Sequence, residues 1–316
     1  MSAQGMMVQQ AREYLAHRRS LGFALEASEY VLLDFARFAD HRRHRGPLTT
    51  SLMLEWATGH ERHSARYRAE RLSIVRGFAR HRAAVDGKSQ VPDMRLLANA
   101  HRRGQPHIFT DTQLFDLIAI AARLTPDWAL RPHTYATLFG LLASTGLRVS
   151  EALALRRPDV DLQSGLLLVR QTKFRKTRWV PVHSTVTRAL RKFADRRDRD
   201  PGLRSSPWFF GRCGRPLPYR TVLETFRRLS NDLDWRSNGF LPRPRIHDLR
   251  HSFACRRLLQ WYREGVDIDQ AITSLSTYLG HAKVSDTYWY LSGTGELLSI
   301  AGAKFERFAT TVEGRP

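Results

Sequence analysis

The chain has 316 residues, of which 42% are hydrophobic, enough apolar material for globular cores and too much for wholesale disorder. Lys and Arg number 51 against 30 Asp and Glu, a formal net charge of +21 spread along the whole length, which points to a polyanionic partner such as nucleic acid or to a host proteome rich in arginine. Two cysteines, Cys213 and Cys255, exclude a disulfide framework and carry no metal-ligand spacing; no apolar run approaches the ~20 residues that cross a bilayer, and Met1 to Gln10 lack a signal-peptide layout, so a cytoplasmic protein with no membrane association is expected.

Residues 7 to 100 read as amphipathic helices. Leu15, Leu21 and Phe23 close the first. Val31, Leu32, Phe35 and Phe38 recur at helical spacing in the second, and Leu52, Leu54 and Trp56 mark a short third. A fourth runs through Tyr67, Leu72, Ile74, Val75 and Phe78, with Arg62, Arg66, Arg68, Arg71, Arg76 and Arg80 assigned to its polar face. A face so rich in arginine is either well solvated or laid against phosphates. The basic stretch His101 to His107 has no apolar periodicity and reads as a linker.

A second domain opens at Phe109. Thr110 and Gln113 form a plausible capping box for a helix from Asp111 to Leu124. A small β region follows: Leu166 to Arg170 and Arg178 to Val182 read as strands, with Thr172 to Thr177 as the hairpin tip. Further helices are expected at 184–197, 219–235, 247–263, 268–279 and 294–308.

Four segments of this second domain hold unusual polar residues. In Ser144 to Leu153, Gly146 ends one helix, Ser150 helps to start the next, and Arg148 falls at the junction. The predicted hairpin tip carries Lys173, one of only six lysines, with Arg175 and Lys176 beside it. In Arg245 to Ala254, His247 and Arg250 are three apart and share a helix face, a pairing suited to a phosphate. In Tyr278 to Leu291, Gly280 ends a helix, His281 begins the next segment, and Tyr290 follows nine positions later. Each segment alone also has a plain reading: a surface arginine, a solvated turn, a capping histidine, an aromatic packing stripe.

Together, over residues 109 to 295, these segments resemble the tyrosine recombinase or phage integrase family. Thr145-Gly146-Leu147-Arg148-Val149-Ser150-Glu151 is similar to its first-arginine box, His247-Asp248-Leu249-Arg250 to its His-x-x-Arg box, and Leu279-Gly280-His281 with Tyr290 to its third box and nucleophile. The resemblance implies a mainly α fold with a small antiparallel β-sheet. Residues 1–103 would be a helical, SAM-like core-DNA-binding domain, 104–108 the linker, and 109–316 a mixed α+β catalytic domain with a C-terminal helix.

It also implies roles. Tyr290 would attack a phosphodiester to give a 3′-phosphotyrosine, without ATP or any cofactor. Arg148 and Arg250 would clamp the phosphate and His281 would donate to it. His247 would move the Tyr290 proton, Lys173 would protonate the leaving oxygen, and Glu151 would buttress the arginines. Lys176 is a rival to Lys173, because the glycines usual around the lysine are missing here, and Tyr288 is a rival to Tyr290. Thr287 to Leu291 resemble mobile-element integrases.

Double-stranded DNA is the implied partner, met by a homotetramer or by related recombinase subunits, with Arg66, Arg71, Arg102, Arg103, Arg175 and Lys176 as candidate DNA contacts. A type IB topoisomerase and a catalytically silent accessory DNA-binding protein are the alternatives.

Overall fold

The computed structural model describes residues 5–97, 106–125, 128, 130–170, 177–212, 214–235, 243–292, 295, 297, 299 and 302. The chain divides into two compact units, Met1–Arg103 and Gly104–Pro316.

The first unit is all helical. Helix α1 (Met6–Ser20) buries Met7, Ala11 and Leu15, which recur every fourth residue. Its first-turn N–H groups at Met7 and Val8 donate to the Asp40 carboxylate at 2.9 and 3.0 Å, so a side chain of α2 (Glu26–His41) caps α1. Leu21 and Phe23 lie beyond the helix and are exposed, because the chain turns at Gly22 with φ of +88°. Helices α3 (Thr50–Thr58) and α4 (Ala65–Asp86) start at Thr49 and Ser64, whose hydroxyls accept from Leu52 and Tyr67 N–H. Phe35, Trp56, Val75 and Phe78 meet in the core.

Arg71 departs from the expected polar face. It stands on the same α4 stripe as Val75 and Phe78 and is only 5% exposed. Its guanidinium stacks 3.9 Å from the Trp56 ring centroid and donates to Trp56 O and Asp34. The assignment of Arg71 as a DNA contact is thereby corrected: its donors hold α3 and α2 to α4. Arg66 is exposed.

The second unit opens with the expected capping box, Thr110 with Gln113, on α5 (Asp111–Ala121). Helices α6 (Arg131–Thr145) and α7 (Val149–Leu153) follow. Strands β1 (Val160–Asp161), β2 (Leu166–Val169) and β3 (Arg178–Pro181) form an antiparallel sheet in that order, with Val169 opposite Arg178. Then come α8 (Ser184–Asp198), a hairpin of β4 (Gly211–Arg212) and β5 (Arg215–Pro216), α9 (Tyr219–Asp232), α10 (Asp248–Arg263), α11 (Ile268–Leu279) and α12 (Ser285–Tyr288), the last running into a 3-10 turn at Trp289–Ser292. Leu138, Phe139, Phe193, Phe210, Phe226 and Leu249 form the main core. The architecture is therefore mainly α with a small antiparallel sheet, as expected.

Strands β1, β4 and β5 are absent from the sequence reading: a two-residue strand has no alternation to detect. Most of the predicted helix at 294–308 lies outside the described residues. Among the described residues no helix is long and apolar enough to cross a membrane, and no group of three or more His, Cys, Asp or Glu could hold a metal ion.

Candidate active site

The site is built where α6 meets α7, at the start of α10, and where α11 ends. Helix α6 stops at Gly146, whose φ of +63° is left-handed backbone. A Cβ at Gly146 would stand 2.6 Å from Phe253 Cδ1, so only glycine lets the turn close on α10. Arg148, not Ser150, is the N-cap of α7. Its backbone N–H donates to Glu151 at 3.0 Å, which is the outer half of a capping box. Ser150 lies within the helix.

Three arginines converge on the C-terminus of α11, where carbonyls have no partners within the helix. Arg178 Nε donates to Tyr278 O at 2.8 Å, Arg250 Nη2 to Leu279 O at 2.7 Å and Arg148 Nη2 to Gly280 O at 3.3 Å. Arg250 Nη1 also donates to Gly146 O at 2.7 Å, so one side chain ties the end of α6 to the end of α11. Cations are favoured at this pole of a helix, whose dipole is negative there. Glu151 is the acidic partner: Arg148 Nη1 reaches it at 2.8 Å and Arg178 at 2.9 and 3.2 Å. Burial pushes the Glu151 carboxyl up, but the Arg178 hydrogen bonds and charge, with Arg148, bring it below the ordinary carboxylate value. Three guanidinium charges thus face one carboxylate, which leaves the pocket cationic and suited to an oxyanion.

Arg250 is 2% exposed. Burial lowers its pKa to about 10, with the Arg148 charge adding to the fall, so it stays charged near neutrality. The Tyr290 hydroxyl lies within reach of its charge. Tyr290 is 3% exposed, in the 3-10 turn, packed against Trp289 and the rings of His251 and His281. Burial raises its pKa and Arg250 opposes the rise; burial wins, so the phenol holds its proton at neutral pH. Tyr288, two residues earlier, is 46% exposed, as expected for the opposite side of a helical turn.

Two histidines complete the cluster. His281 Nδ1 lies 2.7 Å from the buried Thr287 hydroxyl, which fixes the ring's orientation. Burial and then Arg250 and Arg148 lower its pKa to about 4. His247, at the N-terminus of α10 with part of its surface open to solvent, is also lowered to about 4 by desolvation and then by Arg250. Both rings are neutral at pH 7. Unfolded, both titrate near 6.5, so between pH 6.5 and 4 the unfolded chain binds protons that the fold excludes. Stability should be fully present above pH 6.5 and fall as pH drops through that window. A urea midpoint series from pH 7 to 4.5 should show the fall, with a shallower slope in His281→Gln; a flat series would contradict it.

Arg148, Glu151, Arg250, His247, His281 and Tyr290, drawn from three separate segments, are therefore brought together. Lys173, Arg175 and Lys176 lie outside the described residues, as do Arg102 and Arg103. The sequence reading missed Arg178. It marked Arg178 only as the start of a strand, although a charged residue opening an apolar Trp179-Val180 stretch is a signal that it has a partner inside.

A family model described as Phage integrase family matches residues 109–295. A putative integrase/recombinase, y4rB of Sinorhizobium fredii, is 39% identical over 95% of this chain and 96% of its own length. The tyrosine recombinase XerC of Methylobacterium sp. is 30% identical over 88% of this chain and 79% of its own. Among solved structures, the Tn1549 transposon integrase in complex with transposon right end DNA shares the fold, with a TM-score of 0.69 at 17% identity, covering 96% of this chain and 99% of that one.

Proposed function

This chain belongs to the phage integrase family, the tyrosine recombinases, and from that premise we propose that it cuts and rejoins duplex DNA through a 3′-phosphotyrosine at Tyr290. The Tyr290 oxygen attacks a backbone phosphorus. The bond from phosphorus to the 5′ oxygen breaks as the new one forms, and the 5′ hydroxyl leaves. Rejoining is the same step reversed by another 5′ hydroxyl, so phosphodiester energy is conserved and no ATP or cofactor is required.

Each proposed role suits the chemistry of its residue. Negative charge builds on the non-bridging oxygens in the transition state, and Arg148 and Arg250 supply planar donors for it. His281 adds a neutral N–H donor. The attack must strip a proton from a phenol whose pKa is raised; His247, neutral at pH 7, has a lone pair to accept it, and the negative charge of an entering phosphate raises the imidazole's basicity from its lowered value. Lys173 protonates the 5′ oxygen, a task closed to arginine because its proton is held too tightly.

Helices α1 to α4 form a core-DNA-binding domain, with Arg66 among its phosphate contacts and Arg102 and Arg103 in a basic linker. The enzyme works as a tetramer on two duplexes, in the service of a mobile element, a reading that leans on the relatives above.

The observation that carries the proposal is the burial of Tyr290 against the rings of His251 and His281, with centroids 5.5 and 5.9 Å away, beside a pocket where Arg148, Arg250 and Arg178 share one helix end. Nicked suicide duplexes tiled across the DNA flanking the gene should trap a covalent adduct, visible as a slow band on denaturing gels. Trypsin and nuclease digestion should then leave a nucleotide on Tyr290. A nucleotide on Tyr288, or no adduct on any duplex, would refute it.

A further inference from the structure

Three guanidinium groups end in one pocket, yet the reaction proposed above uses only two. Arg178 is nearly closed off from solvent, and its donors all turn inward. Its fork meets both oxygens of Glu151, at 2.9 and 3.2 Å, and its Nε holds Tyr278 O at 2.8 Å. The other side of the same carboxylate belongs to Arg148: Oε1 accepts from Arg148 Nη1 and Oε2 from Arg148 N–H. Glu151 is thus a bracket with one arginine on each side.

Two further observations show how closely Arg178 is fitted. A Cβ at Gly280 would stand 2.6 Å from Arg178 Nη1, so the left-handed glycine leaves space for this guanidinium while its own carbonyl takes Arg148. In β3, Arg178 is paired with Val169, the last pair before the chain enters residues 170–177. The anchor therefore stands at the root of the segment that carries Lys173.

We infer that Arg178 is a positioning residue for strand cleavage: by orienting Glu151 it sets how Arg148 faces the phosphate, and through β3 it ties the root of the Lys173 segment to the same point. This rests on the recombinase reading above. Without the fork, Glu151 is a buried carboxylate with one arginine left to neutralise it, and it draws Arg148 away from the oxyanion. A lysine at 178 keeps the charge but cannot fill two oxygens and a carbonyl in one plane.

The test is Arg178→Lys, with Arg178→Gln in its place should the lysine variant fail to fold. On the suicide duplex that the parent cleaves, single-turnover cleavage should fall about 10- to 100-fold, as for a misplaced catalytic group, while affinity for that duplex changes less than about threefold, since the Arg178 donors are spent inside the protein on Glu151 and Tyr278. In the Glu151→Gln background the same change should have little further effect, because its route is already broken. A cleavage rate equal to the parent's, a loss seen only in affinity, or losses that multiply independently would overturn the inference.

A second readout needs no cleavage. In spectra of the arginine side chains, the Arg148 guanidinium, identified by its loss in Arg148→Lys, should rotate more slowly about Nε–Cζ in Arg178→Lys than in the parent, because Glu151 then holds it without a competitor. Equal rotation in the two proteins would count against Arg178, whatever the DNA assays give. Failure of the parent to form any adduct would count against the recombinase reading alone.

Discussion

Replacing Tyr290 by phenylalanine should abolish the covalent adduct, with cleavage at least about 10⁴-fold below the parent, the scale at which a nucleophile's loss is felt. The substitution removes one oxygen and little else. The ring stays buried among His251, His281 and Trp289, so packing is retained. Arg250 keeps its two carbonyl acceptors, at Gly146 and Leu279, and its charge remains hydrogen-bonded. Loss of the hydroxyl should lower stability by no more than about 1 kcal/mol, so the variant should fold, bind DNA with parental affinity and retain its urea unfolding slope. The exposed Tyr288 sets the control. Tyr288→Phe should leave adduct formation intact, and an adduct that survives Tyr290→Phe but vanishes with Tyr288→Phe would transfer the nucleophile to position 288.

Arg250→Ala should be the most damaging change in the catalytic unit, because it strikes fold and chemistry together. The side chain is almost wholly buried and is bonded to carbonyls 133 positions apart, on Gly146 and Leu279. Alanine leaves both carbonyls short of a donor inside the protein and opens a cavity between α6 and α11. The expected cost is about 3 kcal/mol or more, the range for breaking one partner out of a buried charged network. Cleavage should fall by a further ~10²–10³-fold, as when one transition-state donor is removed. Arg250→Lys separates the two effects: it keeps a positive charge, recovers part of the stability, and still lacks the fork that spans two acceptors. A variant with parental stability and parental cleavage would contradict the whole account of this pocket.

Much of this was legible in the chain itself. Gly146, Arg148, Glu151, His247, Arg250, Gly280, His281 and Tyr290 stand in short local patterns whose order and spacing survive without any knowledge of the fold. Helix α11 ran where its periodicity placed it, and the Thr110–Gln113 capping box formed because both of its partners lie within one turn. What escaped notice is tertiary. Arg178 meets Glu151, 27 positions away, and Tyr278, 100 positions away, and no local pattern encodes either meeting. Arg71 was counted with the polar face because arginine is normally exposed, but its stripe on α4 is the one that Val75 and Phe78 bury, and an aromatic ring with an aspartate was waiting there. Ser150 looked like the better cap by residue type, yet the carboxylate of Glu151 reaching back to Arg148 N–H decided where α7 begins.

The acceptors at the end of α11 are main-chain atoms, and a carbonyl belongs to every residue alike. Sequence drift at Tyr278 and Leu279 can remodel what those side chains touch without erasing the anchor points for the guanidinium groups. Gly280 has no such freedom, since any larger residue would collide with Arg178. A lineage of such proteins could therefore change the surface of this helix while leaving the arginine cluster intact, with Gly280 as the position in this turn where drift must stop.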